Sequence, residues 1–127
     1  MTRERIGTYR VQLRPDFGFG DVSAVVPYLQ RLGISHLYLS PVFEATPGSA
    51  HGYDVVDPNA LRVALGGRAA FDELLTTLDQ HGLGLILDIV PHHMAATADN
   101  QWWWSVLELG RDRPNRRAAR IDGLGDI

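Results

Sequence analysis

Asp88, His92 and His93 stand at the end of an apolar run, Leu83-Gly84-Leu85-Ile86-Leu87-Asp88-Ile89-Val90-Pro91-His92-His93-Met94. A carboxylate and two imidazoles are groups that bind hydroxyls, ligate metals or exchange protons near neutral pH. The apolar run is short for a membrane span and fits a strand buried on both faces. An unpartnered carboxylate in such a setting is costly, so Asp88 needs a partner or a task. Polar groups at the C-terminal end of a parallel strand are also where α/β enzymes place their chemistry. The plain alternative is a loop-capping aspartate followed by two surface histidines.

A second polar concentration is Ser49-Ala50-His51-Gly52-Tyr53-Asp54-Val55-Val56-Asp57-Pro58. His51, Tyr53 and Asp54 fall within four positions, and Gly52 lets the backbone approach something closely. Aromatic faces that stack on pyranose C–H surfaces, beside charged groups that take hydroxyl hydrogen bonds, are the mixture that holds sugars. The competing reading is a packed loop anchored by Tyr53, with Asp57-Pro58 forming a turn.

The elements that must position these groups follow from apolar spacing. Residues 8–13, Thr-Tyr-Arg-Val-Gln-Leu, alternate as a strand does. Asp21 is placed to N-cap a helix whose face is Val22, Val25, Val26 and Leu29, with Gly33 as its end; Pro27 inside it predicts a kink or a split. Residues 36–39 form a second strand. Residues 40–67, rich in proline and glycine, read as a long ordered connection of functional character. A second amphipathic helix is predicted over 68–81, with Phe71, Leu74, Leu75 and Leu78 inward, Asp72 and Glu73 in its first turn, and Gly82 at its end. A short helix over 100–109 carries Trp102, Trp103 and Trp104. This β/α alternation implies parallel strands joined by right-handed crossovers.

Composition narrows the function classes. The chain has 127 residues, of which 45% are hydrophobic and 21% charged, as in an ordinary single globular domain. A net charge of −3 offers no basic surface for nucleic acid, and the absence of cysteine excludes disulfides and thiolate metal sites. No segment has the length of a membrane span or the pattern of a secretory leader, so a soluble, cytoplasmic protein without membrane association is expected. Oligomeric state is not legible.

Several separated motifs together resemble one family. Residues 8–13, Leu39-Ser40-Pro41, Pro47-Gly48-Ser49-Ala50-His51-Gly52-Tyr53-Asp54-Val55-Val56-Asp57-Pro58, Leu65-Gly66-Gly67 and Asp88-Ile89-Val90-Pro91-His92-His93-Met94 occur in the order and spacing of the α-amylase superfamily. The Pro-Gly-Ser-Ala-His-Gly-Tyr-Asp-Val segment and the three tryptophans resemble its maltooligosyltrehalose synthase branch. The resemblance spans about residues 6–109 and implies the first three strands and helices of a (β/α)₈ TIM barrel, an α/β fold. It also implies a maltooligosaccharide substrate whose reducing-end α-1,4 linkage becomes an α,α-1,1 linkage by intramolecular transglycosylation. A retaining mechanism of that kind uses a carboxylate nucleophile and a carboxylic general acid. Both would lie beyond residue 127, leaving the fragment inactive alone. The residues here would be substrate-binding: Tyr53 stacking under the sugar, His51 and Asp54 shaping the pocket, His93 donating to a hydroxyl, and Asp88 holding the strand end.

Two features depart from the family pattern. His92 stands where an asparagine is usual, and imidazole does not suit calcium, so no metal and no cofactor is expected. Residues 111–127 hold many arginines and no apolar period, which reads as a divergent, disordered tail after a unit covering 1–110. A frameshift or early truncation would produce that pattern. Three other readings stay open. One is another glucan hydrolase or transferase of the α-amylase family, and a second is a stand-alone carbohydrate-binding or interaction module. The third is a zinc hydrolase using His51, Asp88, His92 and His93, which adjacent, diverging histidines disfavour.

Overall fold

A computed structural model describes Glu4 and residues 6–110; the predicted tail over 111–127 lies outside the described residues. The chain runs β1 (Thr8–Val11), α1 (Phe19–Leu32), β2 (His36–Leu39), β3 (Phe43–Ala45), β4 (Val55–Leu61), α2 (Gly67–Gln80), β5 (Gly84–Leu87) and α3 (Gln101–Leu109). A single 3₁₀ turn, Val63–Leu65, leads into α2.

β1, β2 and β5 form a parallel sheet in that order, with Arg10 opposite Tyr38, Tyr38 opposite Ile86, and Leu39 opposite both Val11 and Leu87. The expected β/α alternation is therefore present. The pleat sorts side chains to two faces. Val11, Leu37 and Leu39 join Val22, Val26 and Leu29 of α1 and Leu74 and Leu78 of α2 in the buried core, so both helices cover one face. Phe19 packs edge-on against Phe71 where the helices meet, with ring centroids 5.2 Å apart.

Several local expectations change. α1 is one continuous helix through Pro27, whose side chain is exposed; there is no split. Asp21 does not occupy the N-cap. It is the third helical residue, and its Oδ2 accepts from the Gly18 backbone N–H at 2.9 Å. Asp72 does not serve the first turn of α2 but pairs with Arg68 one turn earlier, at 3.0 Å. The connection over 40–67 holds an antiparallel ribbon of β3 and β4, irregular in register, with Ala45 opposite Val55 and Glu44 opposite Asp57. Pro58 hid β4 from periodicity. It is tolerated because a two-stranded ribbon leaves one side of each strand free of ladder bonds.

β5 is half-buried along its length, not sealed on both faces, because it is an edge of the three-stranded sheet among the described residues. His36 packs across the sheet onto Gly84, its cross-strand partner. A Cβ at residue 84 would sit 2.4 Å from His36 Cδ2. Among the described residues no helix is long and apolar enough to cross a membrane.

Candidate functional site

The loop after β2 and the loop after β5 leave the same end of a parallel sheet, and their polar residues meet there. Asp88 follows the last residue of β5 and extends the ladder, its N–H donating to the Leu39 carbonyl at 3.0 Å. The Tyr53 hydroxyl donates to Asp88 Oδ2 at 2.5 Å. Arg10 joins both: Nη1 lies 3.2 Å from Asp88 Oδ2, and Nη2 donates to the Tyr53 oxygen at 2.8 Å. The guanidinium carbon sits 4.8 Å from the centroid of Tyr38, the neighbouring residue on β2, in cation–π contact. Asp88 thus has the partners that its position in an apolar strand demands.

The network shifts two pKa values. Asp88, which accepts the Tyr53 proton, and burial both retain that proton, and they outweigh Arg10, so the phenol titrates above its ordinary value. Burial works against the Arg10 charge, but hydrogen bonds and charge from Tyr53 and Asp88 prevail and raise the guanidinium pKa further.

Below Tyr53 the loop is braced from within. Ser49 Oγ donates to Asp54 Oδ1 at 2.5 Å and accepts from the Gly52 N–H at 3.1 Å. Burial would raise the Asp54 pKa, but the Ser49 hydroxyl and the backbone N–H of Asp54 itself lower it below the ordinary carboxylate value. Gly52, at φ 80°, brings the loop close to Pro41: a Cβ there would stand 3.2 Å from the Pro41 carbonyl oxygen. That contact is the close approach its glycine suggested. Arg62, 2% exposed, donates to the Ser49 carbonyl at 2.7 Å and ties the loop to the base of β4.

His51 lies beside the Tyr53 ring, with centroids 5.9 Å apart and planes 26° apart. Its Nδ1 accepts from the Tyr53 N–H at 3.0 Å. The same nitrogen lies 3.8 Å from Asp54 Oδ1, close enough for the imidazole to add to the lowering of the Asp54 pKa.

The structure brings His51, Tyr53, Asp54 and Asp88 into one connected group. His93 stands apart from its hydrogen bonds: the ring stacks on His92 at 4.6 Å, and the two Nδ1 atoms lie 2.7 Å apart, within hydrogen-bond distance. Among the described residues no three His, Asp or Glu side chains converge as a metal-ligand set, so His51, Asp88, His92 and His93 do not form the zinc site one reading requires.

Sequence reasoning missed Arg10, Tyr38 and Arg62. A signal for Arg10 existed in the alternation of β1, where Val11 and Leu13 take one face and Thr8, Arg10 and Gln12 the other. A cation on the second face of a parallel strand needs a partner, as Asp88 did. The tryptophans of α3 divide: Trp102 and Trp103 are half-buried and Trp104 is exposed, while Asn100 caps the helix by accepting from the N–H groups of Trp102 and Trp103.

Residues 16–116 match the family described as alpha amylase, catalytic domain. The chain is 44% identical over 129 residues to a putative maltooligosyl trehalose synthase of Mycobacterium tuberculosis, an alignment covering 95% of this chain and 17% of that protein. It is 34% identical over 102 residues to a glucan 1,6-alpha-glucosidase of Streptococcus dysgalactiae subsp. equisimilis, covering 78% of this chain and 18% of that protein. Its structure superposes on maltooligosyltrehalose synthase from Arthrobacter ramosus with a TM-score of 0.83 at 43% identity, over 85% of this chain and 15% of that one. The chain thus spans about a sixth of the length of the synthases it matches.

Proposed function

This chain belongs to the α-amylase catalytic-domain family, and we propose that it supplies the first three strands and part of the substrate rim of a maltooligosyltrehalose synthase. The reaction in this reading moves the reducing-end glucose of a maltooligosaccharide from an α-1,4 to an α,α-1,1 linkage, with no net consumption of water. The nucleophile and the general acid come from later strands of the barrel. The residues present here bind and orient. Tyr53 stacks on the sugar through the ring face that His51 does not occupy, because its hydroxyl is already engaged by Asp88 and Arg10. His51 backs that ring, Asp54 rigidifies its loop, and Asp88 fixes it to the strand end. His93 donates a ring N–H to a sugar hydroxyl.

The observation that carries this reading is the 2.5 Å bond between Tyr53 and Asp88, which joins the two polar clusters at one end of the sheet. The test is a chimera in which this chain replaces the matching segment of the Arthrobacter ramosus enzyme. The expected result is loss of reducing ends from maltopentaose, with Tyr53→Ala lowering kcat/KM at least tenfold. A folded chimera that is inert, or one indifferent to Tyr53→Ala, would overturn the proposal. A stand-alone sugar-binding module would instead show this chain binding maltopentaose tightly as a monomer while the chimera stays inert.

A further inference from the structure

We propose that Arg10 is a positioning residue for the sugar platform: by holding the Tyr53 hydroxyl and Asp88 together over Tyr38, it locks the phenol ring in its stacking pose and withdraws its hydroxyl from proton transfer. The proposal rests on the sugar-binding reading of Tyr53 and adds a residue to it from a different strand.

The atoms leave Tyr53 little freedom. A phenol oxygen has one proton to donate, and here it goes to Asp88. The oxygen also accepts from Arg10 Nη2. Its donor capacity is spent, so what remains for a sugar is the ring. Arg10 is itself fixed at both ends. Its backbone lies in β1, paired with Tyr38 of β2, and its guanidinium rests on the Tyr38 ring. The plane then presents Nη1 to Asp88 and Nη2 to Tyr53, two separate acceptors from one rigid fork. A lysine ammonium in the same place is a point charge and cannot reproduce that division.

The consequence is preorganisation. A tyrosine on a loop must lose side-chain freedom when a sugar stacks on it, whereas one already tethered through its oxygen has less to lose. The loop itself is braced through Ser49 and Asp54, but those bonds hold the backbone and not the ring. The ring is held by the oxygen at one end and by His51 at its side. Among the described residues, the charged and titratable groups facing the Tyr53 side chain are Arg10, Asp88 and His51. Asp88 and burial raise its pKa and Arg10 lowers it.

Two measurements test the assignment. In this chain, the tyrosinate absorbance of the wild type minus that of Tyr53→Phe isolates the Tyr53 titration, with circular dichroism recorded alongside to register unfolding. Arg10→Gln is expected to move that titration to higher pH, because the guanidinium that lowers it is gone. In the chimera described above, Arg10→Gln is expected to lower kcat/KM for maltopentaose about tenfold, with Arg10→Lys between the two. Arg10→Gln combined with Tyr53→Phe is expected to be no worse than the poorer single variant, the signature of two residues acting as one unit. An unmoved Tyr53 titration, or penalties that simply add, would reduce Arg10 to a brace of the sheet and overturn the proposal. Wild-type chimera that is folded but inert would overturn the functional reading as well, and that outcome is distinct from an active chimera indifferent to Arg10.

Discussion

Arg10 and Val11 are neighbours on β1 with opposite fates. Val11 is 8% exposed and enters a core with Leu37, Leu39 and two helices, where shape and apolar area decide stability. Arg10 turns to the other face, where directional bonds to Tyr53 and Asp88 and a ring contact with Tyr38 do the organising. The first face obtains its stability from groups that need only be apolar and of the right volume. The second obtains its geometry from groups that must be in particular places. This division explains why one sheet can be robust on one side and specific on the other.

The contrast can be tested from each side. Truncating the core should produce the largest loss: Leu39→Ala, at a site with no exposure, is expected to cost about 2–5 kcal/mol in urea unfolding. It should leave the Tyr53 titration in place in the molecules that remain folded. Crowding the opposite face should cost less. Gly84→Ala forces the His36 ring away from a contact that would be 2.4 Å, at an expected cost of about 1–3 kcal/mol. His36→Ala should relieve that cost in the double variant, and failure to do so would place the strain elsewhere.

The smallest effect is electrostatic. Asp54 has a folded-state pKa below its ordinary 3.8. Its ionised form is therefore favoured by folding, so its contribution to stability is fully present above that value and is lost as pH falls through the lower, folded one. The loop over 49–54 should stay protected against hydrogen exchange at pH 5 and open only in stronger acid. Ser49→Ala should shift that opening to higher pH, since the hydroxyl is the chief group lowering the pKa. An opening that Asp54→Asn leaves unchanged would show that another group governs it.

Legibility differed between these regions. The helical faces of α1 and α2 were plain because Val22, Val26, Leu29, Leu74 and Leu78 repeat at helical spacing and are buried as that spacing requires, whereas Val25 and Phe71 are half-buried at the margins and Leu75, expected inward, is 40% exposed. The ribbon of β3 and β4 was not, because Pro58 and an irregular register break the alternation that marks a strand. At the site, Asp88 and Tyr53 stood out as polar groups in apolar or aromatic company, whereas Arg10 resembled any surface arginine on an alternating strand. The expectation that His93 shares the cluster with them rested on chain position, and in the structure its ring hydrogen-bonds His92.

The identity of β1, β2, β5 and the three helices, the parallel order they imply and the presence of two polar clusters were written in the chain, because each depends on periodicity or on neighbours a few positions apart. The meeting of Arg10 with Tyr53 and Asp88 was not: these residues lie 43 and 78 positions away from it. Whether such distant groups touch depends on strand register and on the path of the loop across the sheet end. Those are properties of the packed molecule, and no local preference encodes them.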